Sequence, residues 1–75
     1  MTVFVAGYKG TDMNDIIGVF TDIEKAKNAI HKDYEATEFG YKPDIVEIED
    51  NHICIAKEGY WCDEWYIVEK ELDNE

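Results

Sequence analysis

Residues 15–34, DIIGVFTDIEKAKNAIHKDY, change hydrophobic period partway along, and that change decides the fold. The first six, Asp15–Phe20, are rich in β-branched and aromatic residues (Ile16, Ile17, Val19 and Phe20) and read as a strand. Thr21-Asp-Ile-Glu24 follows with capping-box spacing: the Thr21 hydroxyl can accept from the Glu24 amide, and Glu24 can reach back. Asp22 and Glu24 also suit the positive end of a helix dipole. Ile23, Ala26, Ile30 and Tyr34 then recur at three- and four-residue steps, with Ala29 beside them, which predicts an amphipathic helix of about four turns. Gly40 and Pro43 supply a stop. Lys25, Lys27, His31 and Lys32 fall off the apolar stripe and are expected in solvent.

Outward from this element, residues 2–8 (TVFVAGY) read as a first strand, joined through the loop 9–14 to Asp15–Phe20 as an antiparallel hairpin. Beyond the helix, residues 44–49 (DIVEIE) and 52–57 (HICIAK) read as strands around an Asp50-Asn51 turn, where both residues tolerate positive φ. Glu58-Gly59 turns the chain again, residues 60–64 are ambiguous, and residues 65–72 (WYIVEKEL) form the last strand. The expected order is β-β-α-β-β-β. This is a small α+β single domain over residues 1–75, mostly antiparallel sheet with one helix packed on one face.

Strand alternation then assigns side chains. Val46 and Ile48, with Tyr66, Val68 and Leu72, are expected to face the helix. Glu47, Glu49, Trp65, Ile67, Glu69 and Glu71 are expected on the open face. That face would combine acids with aromatic groups, a mixture suited to protein binding.

Charge strengthens this reading. The chain has 18 acidic residues against seven lysines, no arginine and a net charge of −11. Residues 43–75 alone hold eleven acids and two lysines. Repulsion disfavours direct nucleic-acid binding, whereas a basic protein partner is attracted. Carboxylates on a strand repeat every second residue, at about 6.8 Å, which is comparable to phosphate spacing. The partner-binding residues expected on this basis are Glu47, Glu49, Glu69 and Glu71, with Trp65 and Trp61 as aromatic anchors.

Other chemistry is weakly represented. His52, Cys54 and Cys62, with Asp63 or Glu64, are too loosely spaced for a zinc knuckle, and Cys54 reads as a small buried hydrophobe. Asp12-Met-Asn-Asp15 lacks the glycine and distant glutamate of a calcium loop. No GxSxG, phosphate-binding or dinucleotide motif is present, so neither an enzyme nor a cofactor is expected. Residues 1–8 lack the basic flank and apolar length of a signal peptide, and no apolar run approaches about 20 residues, so a cytoplasmic protein without membrane contact is expected.

Ile17, Gly18, Val19, Phe20, Glu24, Lys25, Ala26, Ala29 and Ile30 match a strand-to-helix signature, roughly IGVFSSxEKAxxAI. In this the chain resembles small uncharacterised phage and bacterial α+β proteins, over about half its length. The resemblance implies a phage or prophage origin and assigns no catalytic group. With the charge, it leads to the expectation of an inhibitor or DNA mimic that engages a basic, nucleic-acid-binding host protein. The alternative is a generic intracellular adaptor binding through Tyr60, Trp61, Trp65 and Tyr66, with charge serving solubility.

Overall fold

In the computed structural model, which describes residues 1–59 and 62–72, the order is β1 (Thr2–Lys9), β2 (Asn14–Phe20), α1 (Ile23–Ala36), β3 (Ile45–Ile48), β4 (His52–Ala56) and β5 (Cys62–Glu71). The expected β-β-α-β-β-β plan therefore holds. All pairings are antiparallel, and the sheet order is β2-β1-β5-β4-β3. β5 is longer than expected because it pairs with β4 along its first half and with β1 along nearly all its length.

The helix starts one residue later than the capping box implied. Asp22, not Thr21, is the N-cap, and its Oδ1 accepts from the Glu24 amide at 2.9 Å. A carboxylate is the stronger acceptor at this positive terminus. The helix also ends before Gly40. The Thr37 amide donates to the Tyr34 carbonyl, and its hydroxyl donates to the Asp33 carbonyl at 2.8 Å. The Asp50-Asn51 turn uses no positive φ; among the described residues only Gly59, at +77°, adopts one.

α1 lies across β1, β2, β5 and β4 and does not reach β3. Beneath it, Ala6, Ile53, Ile55 and Trp65 from the sheet meet Ala26 and Ile30, all essentially inaccessible. Phe4, Tyr8, Phe20, Tyr34, Phe39 and Ile67 close the margins.

Trp65 and Ile67 therefore face the helix, and the assignment of β5 to its faces is reversed from expectation. The register fixes this. Trp65 sits opposite Tyr8 and Ile53, and Ile67 opposite Ala6, all on the helix side. Tyr66 and Val68 go to the open face, opposite Gly7 and Val5. Physically, the largest apolar side chain of β5 takes the one place where a helix can cover it. Val46 and Ile48 do lie on the helix side, opposite the buried Ile55 and Ile53, yet they stay 54% and 49% exposed because no helix passes over them.

Candidate functional site

Three groups of polar side chains stand out, and their environments separate structural work from surface chemistry. The first is half-buried and centred on Asp63. Asp63 is 9% exposed and accepts hydrogen bonds on both carboxylate oxygens. The Tyr8 hydroxyl donates to one and the Tyr41 hydroxyl to the other, the latter at 2.8 Å. Burial, and then donation to a carboxylate, push the Tyr8 phenol up to about 12 and raise that of Tyr41 as well. Trp65 Nε1 donates to Asp33 Oδ2 at 2.8 Å. Among the described residues no buried side-chain polar atom lacks a partner, and the cluster ties α1 and the segment after it to β5.

The second group lies on the open face. His52 and Cys54 project there from β4, and Cys62 and Glu64 from β5, with Glu47 opposite Cys54 on β3. His52 Nε2 donates to Glu64 Oε2 at 2.7 Å. Burial and then the adjacent Cys62 push the Cys54 thiol up to about 11, which leaves it protonated and a poor nucleophile at neutral pH. Among the described residues no three His, Cys, Asp or Glu side chains are placed to hold a metal ion.

The third group is the acidic edge. β3 is one of the two edge strands of the sheet, and all four of its residues are exposed. Asp44 precedes it, Glu47 sits at its centre, and Glu49 and Asp50 follow it, all exposed. The turn after the strand is held in place. His31 Nε2 lies 3.0 Å from the Glu49 carbonyl and 3.1 Å from that of Asp50, so this nitrogen carries the proton. Lys27 Nζ reaches Asp50 Oδ2 at 3.1 Å and Glu24 Oε1 at 3.4 Å. The hydrogen bond to Asp50, then that to Glu24, raise the lysine pKa. Neither Lys27 nor His31 is thus the free solvent group that helical periodicity implied.

The acids expected to form one face divide between two places. Glu47 lies on the open side of β3, and Glu49 follows that strand. Glu69 and Glu71 lie on the helix side of β5, opposite Phe4 and Thr2. Glu71 accepts from the Thr2 hydroxyl at 2.6 Å and pairs with the N-terminal amine at 3.1 Å, and these two contacts lower its pKa in that order. Trp65 is fully buried and cannot meet a partner as an anchor. Trp61 and Tyr60 fall outside the described residues, as do Asp73, Asn74 and Glu75. The group that sequence reasoning missed is the set that pins the turn, Lys27, His31 and Asp50. Its contacts span 18 to 23 residues and carry no local signature.

These features define a class: a small α+β domain with a five-stranded antiparallel sheet, one helix, and an uncovered acidic edge strand. Among the described residues no helix is long and apolar enough to cross a membrane. The chain belongs to the family described as Domain of unknown function (DUF7336), whose model matches residues 1–62. No curated protein and no solved structure matches it.

Proposed function

We propose that this domain is a small acidic protein-binding module that engages a basic, nucleic-acid-binding host protein in the cytoplasm, as a phage- or prophage-type inhibitor whose carboxylates stand in for phosphates. The observation that carries the reading is the exposed β3 edge, where Asp44, Glu47, Glu49 and Asp50 crowd around a four-residue strand. The carboxylates concerned are this edge set; Glu69 and Glu71 belong to a separate region near the N-terminus. Such a concentration of one charge speeds encounter with a basic partner and makes it salt-sensitive.

Titration with a short oligolysine tests the reading. Binding should weaken steeply with salt. The triple variant Asp44→Asn/Glu47→Gln/Glu49→Gln should lose most of the binding, while Glu69→Gln retains it. The native domain should also displace DNA from a basic DNA-binding protein, and the triple variant should not. Equal binding by the triple variant and the native protein would refute the proposal.

A further inference from the structure

The hydrogen-bond register of β3 determines which of its backbone groups are unused. The Glu49 amide donates to the His52 carbonyl opposite it at 2.8 Å, while the Asp44 amide reaches the Ala56 carbonyl at 3.0 Å one residue outside the Ile45–Ala56 pair. With Ile45 opposite Ala56 and Glu47 opposite Cys54, the hydrogen-bonded pairs are 45/56, 47/54 and 49/52. Antiparallel pairs alternate, so Val46 and Ile48 belong to the other kind and direct both N–H and C=O away from β4, off the sheet. Among the described residues no strand lies beyond them and no helix covers them. Two donors and two acceptors thus stand in a row, framed by the half-exposed Ile45, Val46 and Ile48.

Of the usual devices that blunt an edge, the strand has only its four-residue length and its charge. Between Ile45 and Ile48 there is no proline, glycine or lysine, whereas the opposite edge strand, β2, contains Gly18, pairs with β1 through a register shift and has α1 packed against it. Of the two, charge discriminates by sign. A second copy, itself at −11, would bring Glu47, Glu49 and Asp44 against the same acids. A basic strand would meet opposite charge at each of these positions.

We propose that the outer edge of β3 accepts an extended segment of the basic partner as a sixth strand, one whose residues alternate apolar and basic. This rests on the acidic-module reading and specifies its contact. Residues opposite Val46 and Ile48 lie on the helix side and are apolar. Those opposite Ile45 and Glu47 lie on the open side and are lysine or arginine, whose aliphatic stems cover Ile45 while the charge reaches Glu47. Asp44, Glu49 and Asp50 select basic flanks. The main chain supplies affinity and the alternating pockets supply specificity, as in other strand additions. His31 and Lys27 hold the β3–β4 turn in place, which lowers the ordering cost of binding.

The test uses a synthetic peptide of alternating valine and lysine, and a second peptide of identical composition with the valines grouped together. The alternating peptide should bind about tenfold or more tightly than the grouped one. It should also slow amide exchange at Val46 and Ile48 more than elsewhere. Val46→Pro removes an outward N–H without touching the β3–β4 ladder, so the variant should fold and lose about tenfold in affinity. Alternate-residue N-methylation of the peptide blocks the same bonds from the other side and gives the same loss with the native domain. Equal binding of the two peptides, protection confined to β2 or the open face, or no loss on N-methylation would each overturn the proposal. So would a peptide-free dimer protected at Val46 and Ile48, which would make a second copy the occupant. Salt-sensitive oligolysine binding that survives in all these cases leaves the acidic-module reading standing alone.

Discussion

Replacing Trp65 by alanine tests the core assignment most directly. The side chain is fully buried, with ring centroids 5.0 Å from Tyr8, 5.5 Å from Tyr34 and 6.2 Å from Phe39. A tryptophan buries roughly 150–250 Å². At about 25 cal/mol per Å² this is about 4–6 kcal/mol, an upper bound close to the roughly 3–5 kcal/mol observed for such truncations. The indole N–H bond to Asp33 Oδ2 is also lost. A 75-residue domain has about 4–11 kcal/mol in total, so Trp65→Ala should remove at least about a quarter of its stability. Trp65→Phe keeps most of the area and loses the charge-assisted hydrogen bond, at a cost of about 1.5–3 kcal/mol. Urea unfolding followed by far-ultraviolet circular dichroism reads both variants without depending on tryptophan fluorescence. A loss below about 1 kcal/mol for Trp65→Ala would place the side chain at the surface and refute the packing described above.

Other consequences are as readily checked. Asp22→Ala should cost about 1 kcal/mol in the same urea experiment, and Thr21→Ala should stay within about 0.5 kcal/mol; the reverse order would mean that Thr21 is the cap. The raised phenols predict alkaline weakening. Because the folded state favours neutral Tyr8, its contribution is complete below the ordinary value of 10.0 and is lost as pH rises from there through about 12. Stability measured across that window should fall less steeply in Tyr8→Phe or Tyr41→Phe than in the native protein, and identical slopes would contradict burial of the pair.

How far the sequence discloses this fold depends on whether the deciding contact is local. The helix and the β1–β2 hairpin follow from residues within a few positions of one another, and both appear as periodicity predicts. β5 is different. Each of its two faces carries an aromatic and an aliphatic side chain, Trp65 with Ile67 and Tyr66 with Val68, so alternation gives the period without saying which set turns inward. The choice is made by Tyr8 and Ile53, 57 and 12 positions away from Trp65. The acidic run at Glu47, Glu49 and Asp50 is plain in the sequence, but its place at an uncovered edge depends on how far α1 extends across the sheet. The cap shifted by one residue because Thr21 and Asp22 are adjacent and both able to accept, and only the backbone geometry at Asp22 separates them.

The position of β5 between β1 and β4 also governs when this domain can form. The pairs β1–β2 and β3–β4 each close over a short loop and can appear early, but within the sheet neither touches the other except through β5. Thr2 must wait for Glu71, and Tyr8 for Trp65. A nascent chain therefore cannot assemble its core while β5 is still inside the ribosome, and the first and last strands meet only after nearly the whole domain has emerged. Until then the helix has half a floor beneath it, with Ala6 and Phe4 present but Trp65 and Ile67 absent. Folding should consequently be all-or-none and slow for so short a chain, with the final strand closing the sheet from the middle.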